Sequence, residues 1–276
     1  MPVTPKPRIV VNCLVKNEER WIWYALQSVI NYVDQILVWD TGSTDSTPDI
    51  IRSISDPKIS FKQIGSVDKG KFTQVRQQML DASKDADWMM LLDGDEIWPD
   101  EAIKEVRRIV DTSGNKFEYL VNGYYNLIGD VFHYQDPSAG KYHIGSYSGN
   151  VTTRIIHMKN IPGVHFNLPY GKEGLFDGSE TPIQNRSPIR TLLCEQSYLH
   201  TSHLSRSSQD RLVMQRSKKF KYELGHRFPG NFSYPSCFYL PSPPNVRNPW
   251  IKRNLVYTAK SIFLFPFIKV KRLFDE

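Results

Sequence analysis

The run Trp88-Met89-Met90-Leu91-Leu92 is followed at once by Asp93-Gly94-Asp95-Glu96. Five uninterrupted apolar residues have the length of a strand buried on both faces, as in a parallel sheet. Three carboxylates among the next four residues would then lie just past the strand's carboxyl end, where open α/β sheets bind ligands. Gly94 lets the backbone turn sharply and a ligand approach. Like charges this close repel unless something neutralises them, and a hard divalent cation with oxygen ligands does so. Asp-Gly is also an ordinary turn dipeptide, so read alone the stretch suits a solvated turn equally well.

The preceding residues set the context. Arg8–Val15 reads as a first strand, and Asn17 is placed to cap the helix that follows, with Glu18 and Glu19 at its positive end. Ile22, Leu26, Val29, Ile30 and Val33 share one helical face. Gln35–Trp39 is a second strand, ending at Asp40-Thr41-Gly42-Ser43-Thr44-Asp45. A strand over 58–64, a helix over 72–83, the acidic-ended strand and a helix over 99–110 complete four strand–helix alternations. That pattern specifies an α/β fold, a mostly parallel sheet flanked by helices. Lys16–Glu19, Asp40–Asp45 and Asp93–Glu96 all follow strands directly, so they should converge on one sheet edge. No glycine-rich phosphate loop occurs, so a Rossmann dehydrogenase and a P-loop enzyme are poor fits.

The second half is less regular. Strands are expected at 116–127, at 151–157 and from Thr191 towards Leu199, with a long loop over 129–150. Residues 207–224 read as a basic helix, 225–249 as a proline-rich surface wrap, and 250–276 as a basic amphipathic tail. The net charge of +6 is concentrated there. Residues 205–227 hold seven Lys and Arg against two acids, and 250–276 hold six against two. Phosphate-bearing or anionic-lipid partners belong at that end. No aromatic-interleaved basic motif suggests nucleic acid. Cys13, Cys194 and Cys237 are widely separated, fitting a reducing compartment and no disulfide framework. The start lacks the apolar segment of a secretory signal, and no run is long enough to span a membrane.

Val15-Lys16-Asn17-Glu18-Glu19, Asp40-Thr41-Gly42-Ser43-Thr44-Asp45-Ser46-Thr47 and Leu91-Leu92-Asp93-Gly94-Asp95-Glu96 resemble, in order and spacing, the signatures of family 2 glycosyltransferases, in particular their bacterial and archaeal branch with a Lys-Asn-Glu-Glu opening. Phe72–Gln77 resembles the family's Phe-x-x-x-Arg-Asn segment, with Gln77 where Asn is usual, and Gly94 stands where the D-x-D motif often has Ala. The likeness is close over residues 8–112 and looser beyond 150. It implies a Rossmann-like GT-A fold. The domain would span 1–224, with a nucleotide-sugar half (1–112) and an acceptor-side half (113–224), followed by the wrap and helical tail (225–276).

The resemblance implies a hexosyltransferase-type enzyme that moves a sugar from a nucleoside diphosphate, UDP in the first instance, to a hydroxyl acceptor with inversion. Cys13, Val15, Asn17, Glu18, Asp40, Arg76 and Asp93 are assigned to the nucleotide sugar, Asp40 to the base and Asp93 to the ribose or sugar. Asp95 is the expected ligand of Mn²⁺ or Mg²⁺. A histidine from the C-terminal half often joins the metal or diphosphate in such enzymes, and His203 is the expected one. An inverting reaction needs a carboxylate to deprotonate the acceptor. Glu173 and Asp177, in the Tyr170–Asp177 loop, are the candidates. Cys194, His200 and His203 lack a fourth ligand for zinc.

The acceptor class is open between glycan, lipid-linked and protein hydroxyls. The tail fits an interfacial segment on an anionic membrane, giving a cytoplasmic enzyme peripheral to the inner face of the cell membrane, and fits docking onto its own domain equally well. Two other readings stand beside the transferase: a non-catalytic nucleotide- or carbohydrate-binding protein on the same fold, and a sugar nucleotidyltransferase. The latter usually carries a glycine-rich segment where this chain has Lys16–Glu19.

Overall fold

The computed structural model describes residues 6–213 and 216–274. Strands and helices alternate through β1 (Ile9–Val15), α1 (Ile22–Val29), β2 (Gln35–Asp40), α2 (Thr47–Arg52), β3 (Ile59–Gln63), α3 (Phe72–Ala82) and β4 (Trp88–Leu91). The two-residue β5 (Glu96–Ile97) and α4 (Asp100–Ser113) follow. Then come β6 (Tyr119–Ile128), β7 (Asp130–Tyr134), the hairpin of β8 (Tyr142–Ile144) and β9 (Tyr147–Gly149), β10 (Val151–His157), and the hairpin of β11 (His165–Asn167) and β12 (Gly174–Phe176). The last elements are β13 (Thr191–Leu193), β14 (Tyr198–His200), the single turn α5 (Arg216–Lys219), β15 (His226–Arg227) and α6 (Leu255–Phe274).

Strands β3, β2, β1 and β4 lie side by side and run parallel, as the alternation requires. The sheet then becomes mixed: β10 is antiparallel to both β4 and β6, and β13 and β14 add to β6 in parallel. β14 also pairs with β5, which ties the C-terminal half to the turn after β4.

Strand β1 shows why the sheet is covered on both sides. Ile9, Val11, Cys13 and Val15 enter the core shared with α1, α2 and α4, whereas Val10 and Leu14 pack with Val75 and Met79 of α3. Asn12, on the α3 side, donates its amide to the Met79 carbonyl and the Ser83 hydroxyl. Helix α4 buries Ala102, Ile103, Val106, Ile109 and Val110, one stripe at helical spacing. Helix α1 is buried almost all round because the proline-rich wrap covers its outer side. Tyr24 packs edge-on against Phe238 at 5.3 Å and donates its hydroxyl to the Arg247 carbonyl. Phe228, Cys237, Phe238 and Val246 join the main core, so the wrap shares the hydrophobic core of the sheet.

Three local expectations change. Asn17 does not cap α1: it sits in the left-handed region (φ 52°), and α1 begins at Ile22, with the Trp21 and Ile22 N–H groups donating to the Glu18 carbonyl. The basic helix over 207–224 is replaced, in the described residues, by a 3₁₀ turn at Asp210–Leu212 and by α5, because Ser208 and Arg216 are drawn into contacts with the turn after β1, Ser207 with the turn after β2 and Arg206 with the turn after β4. The long loop over 129–150 contains β7 and the β8–β9 hairpin.

Candidate active site

The three polar segments meet at the carboxyl ends of β1, β2 and β4. The turns after β1 and β2 are laced together. The Ser43 hydroxyl accepts from the Asn17 N–H (2.8 Å), the Asn17 side chain accepts from the Thr44 N–H (2.7 Å), and Thr47 accepts from the Glu18 N–H (2.7 Å). Asp45 accepts from the Glu19 N–H and the Ser207 hydroxyl, while Glu19 accepts from the N–H groups of Ser46 and Ser208. Asn17, Glu19 and Asp45 therefore fix the shape of this edge. Asp40, fully buried at the end of β2, accepts from the Ser43 N–H and hydroxyl and from Gln63. The side chains of Cys13 and Val15 are core residues, so only their backbone can face a ligand.

The acidic turn is tied to β1 through Glu18. A Cβ on Gly94 would meet Glu18 Cγ at 2.9 Å and Val15 Cγ2 at 3.2 Å, so Glu18 packs directly over the middle of the D-x-D motif. Gly94→Ala is expected to destabilise the fold by about 1–3 kcal/mol, the cost of overpacking a buried position. Urea unfolding at neutral pH measures it; an unchanged midpoint would mean that Glu18 is free to move.

Four guanidinium groups answer four carboxylates here. Arg154 reaches Asp93 (2.9 Å) and Glu96, and Arg76 lies 3.6 Å from Asp93. Arg206 pairs with Asp95 and lies 3.4 Å from Glu18, which also accepts from Arg216 (2.5 Å). Arg216 further donates to the carbonyls of Lys16 and Asn17. Arg154 sits where the pairing of β10 with β6 slips between Thr153 and Ile155, an irregularity of the kind that re-aims a side chain. The Nε of each of these four arginines is buried without an acceptor, and Glu18 Oε2 is buried without a donor.

The charges settle unevenly. Burial opposes ionisation of Asp95, but Arg206 and His200 outweigh it and hold its carboxyl well below the usual range. Burial likewise opposes ionisation of Asp93, and Arg154 and Arg76 keep its carboxyl below the ordinary value. At Glu96 and Glu18 burial wins: their carboxyls are pushed up to about 7 and about 8, although Arg154 pulls on the first and Arg206 and Arg216 on the second.

The remaining sequence candidates fall as follows. His200 Nε2, not His203, lies 3.4 Å from Asp95 Oδ2; β14 carries His200 to Asp95 by pairing it with Glu96. His203 Nδ1 instead contacts the Lys219 carbonyl at 2.8 Å, and burial pushes its pKa down to about 3. Asp177 is held by Arg186 and by the N–H groups of Ser179 and Thr181, and these hydrogen bonds keep its carboxyl below the ordinary value. Glu173 lies on the loop between β11 and β12 and accepts from the Gly171 N–H. That hairpin packs on α3: Arg76 lies over the Phe166 ring, Phe72 meets Tyr170, and Thr73 donates to the Leu168 carbonyl. Arg154 and Arg216 were not anticipated. A lone arginine inside the otherwise uncharged Val151–Ile156 segment was the available signal for Arg154; Arg216 left none.

The family model of glycosyl transferase family 2 matches residues 13–165. The chain belongs to glycosyl transferase family 2. The matched span runs from the end of β1 through β10 and so contains the three converging turns and Arg154. The helix-flanked sheet, parallel in its first half, is of the α/β class that the strand–helix alternation specifies. Among solved structures, S. aureus TarS 1–349 is 14% identical, with 71% of this chain and 60% of that chain covered and a TM-score of 0.44. Glucosyl-3-phosphoglycerate synthase from Mycobacterium tuberculosis, solved with Mn²⁺ and UDP-glucose, is 24% identical, with 43% and 44% covered and a TM-score of 0.34. The chain thus spans about three-fifths of the TarS fragment it matches. No curated protein matches the chain.

Proposed function

We propose that the chain transfers a hexosyl group from a nucleoside diphosphate sugar, UDP-linked, to a hydroxyl acceptor with inversion, assisted by Mn²⁺ or Mg²⁺. The observation that carries this reading is the acidic turn of β4, ringed by four arginines with buried unused donors beside the Asp40 turn. Such donors favour an anionic ligand, and a diphosphate supplies one.

The residues present suit a divalent cation. Asp95 is ionised and adjoins an imidazole, and Glu18 Oε2 is a buried acceptor with nothing to accept from. Among the described residues no three His, Cys, Asp or Glu side chains are grouped to hold a metal. A cation here would therefore take Asp95 and His200 from the protein and the rest of its shell from diphosphate and water, as Mg²⁺ commonly does. When bound, it stabilises the charge that develops on the leaving diphosphate.

Asp40 accepts hydrogen bonds from the base, in the polar floor built by Ser43 and Gln63. Asp93, oriented by Arg154 and Arg76, accepts from the ribose or sugar hydroxyls. Arg206 and Arg216 supply positive charge beside the diphosphate. Glu173 takes the acceptor proton; Asp177, occupied by Arg186, has no such freedom, and Glu173→Gln should remove turnover while leaving donor binding intact.

Release of nucleoside diphosphate from a panel of UDP-, GDP-, CDP- and TDP-sugars, with and without Mn²⁺, tests the reading. Metal-dependent release from one nucleotide class supports it. Tight binding without any release would leave a nucleotide-binding protein on the same fold, and neither binding nor release would remove the nucleotide altogether.

A further inference from the structure

Helix α6 touches the rest of the protein along one narrow stripe. Tyr257 and Ser261 are buried, Leu264 and Ile268 are half-buried, and Arg272 pairs with Glu223 at 2.6 Å. These positions recur at i, i+4, i+7, i+11 and i+15, which is a single helical face. The opposite face carries Leu255, Val256, Ala259, Ile262, Phe263, Pro266, Phe267 and Val270, all exposed. At ~100° per residue they fill an uninterrupted arc of ~140° that contains no charged or polar side chain. Leu255 is 88% exposed, Phe263 72% and Phe267 63%, so the arc is not shielded by its own flanks.

An apolar patch of this continuity marks an interaction surface. Its borders are basic. Lys260 sits at one edge with its ammonium 5.0 Å over the Tyr222 ring, and Lys252 precedes the helix. At the foot of α6 is a cavity of about 430 Å³ lined by Arg20, Arg247, Lys252, Arg253, Phe220 and Tyr222. Its one carboxylate, Asp130, is already engaged by His133 at 2.6 Å and by the Arg253 N–H at 3.0 Å. Burial and the neighbouring Arg20 both disfavour the charge on Arg247. Two copies of this face would bring like charges together, which disfavours self-association. No helix among the described residues is long and apolar enough to cross a membrane.

We infer that α6 lies in the interface of an anionic phospholipid bilayer, its Leu255–Val270 arc among the acyl chains and the basic cavity at its foot on a headgroup phosphate. An amphipathic helix with an apolar arc and cationic borders binds in this way. The orientation also brings the membrane close to the reaction centre. Leu204 and Ser205 form part of the cavity wall, and the next residue, Arg206, is the partner of Asp95. In the transferase reading, on which this last step rests, a lipid-linked acceptor is the substrate class that the surface would present.

Flotation of the full chain with phosphatidylcholine vesicles, with and without phosphatidylglycerol, is the test. The wild-type chain should float with the anionic vesicles only, and less so at high salt. Phe263→Asp/Phe267→Asp should lower partitioning by more than about tenfold. Lys252→Glu/Lys260→Glu should lower it by at least about fivefold per charge. Both variants should keep wild-type UDP binding, which reports an intact fold and reads the catalytic site separately. Equal flotation on neutral vesicles, no flotation, or undiminished flotation of the Phe263/Phe267 variant would overturn the inference. So would a wild-type dimer in sedimentation velocity that the same variant dissolves without any vesicle binding. Loss of UDP binding by the wild-type chain would sink the transferase reading and leave the flotation result standing.

Discussion

Arg154→Met should destabilise the protein by about 3–5 kcal/mol near neutral pH, the usual cost of removing one member of a buried ion pair. Arg154 serves two carboxylates at once, Asp93 and the fully buried Glu96. Without it, Glu96 keeps the Tyr198 hydroxyl (2.9 Å) but no cation at hydrogen-bonding distance. The loss should depend on pH in a definite direction. Burial pushes Glu96 up to about 7 in the fold, against an ordinary value of 4.5, so the folded state binds the extra proton between those values. Its contribution to stability is complete below about 4.5 and is lost as pH rises through 7. Removing Arg154 raises the folded value further, so the deficit should be smaller at pH 5, where only the Asp93 pairing is lost, and largest above pH 7. Urea unfolding of both proteins across that range measures it. Adding Glu96→Gln should recover much of the deficit; a deficit that is flat with pH, or unrelieved by that change, would assign the effect to packing.

Asp95→Asn should reduce turnover by at least about 10³-fold, on the order of 4 kcal/mol of transition-state stabilisation. Asn retains the shape, and Arg206 keeps Glu18 at 3.4 Å, so the fold should survive. What disappears is the anion. Asp95 is held well below its ordinary range, by Arg206 and His200, and so is a permanent negative charge in the turn. Glu96, pushed up to about 7, cannot replace it at neutral pH. Turnover within tenfold of wild type would move the metal site away from this turn.

The parallel half of the sheet was legible because burial on two faces leaves continuous apolar runs, as in Trp88–Leu92, and because α4 repeats its apolar residues at helical spacing. The convergence of the three turns follows from that topology alone. What could not be read is the pairing of charges. Arg154 and Arg206 meet partners 58 to 188 positions away, and an ion pair leaves no periodic trace in the chain. That His200 rather than His203 lies beside Asp95 has a related cause. Sequence puts both near the end of a strand, and only the pairing of His200 with Glu96 decides which one reaches Asp95. Asn17 shows local propensity yielding to tertiary structure: a good capping residue is used to bind the Thr44 N–H and to hold two turns together.

In the proposed transferase, Asp95 holds a cation on which donor binding depends. Isothermal titration of UDP into the wild-type and Asp95→Asn proteins, each with and without Mn²⁺, addresses it most directly. The wild-type protein should bind UDP at least about tenfold more tightly with Mn²⁺, a coupling of about 1.4 kcal/mol, and Asp95→Asn should show no such gain. Equal affinity with and without the metal in the wild type, or an undiminished gain in Asp95→Asn, would contradict it.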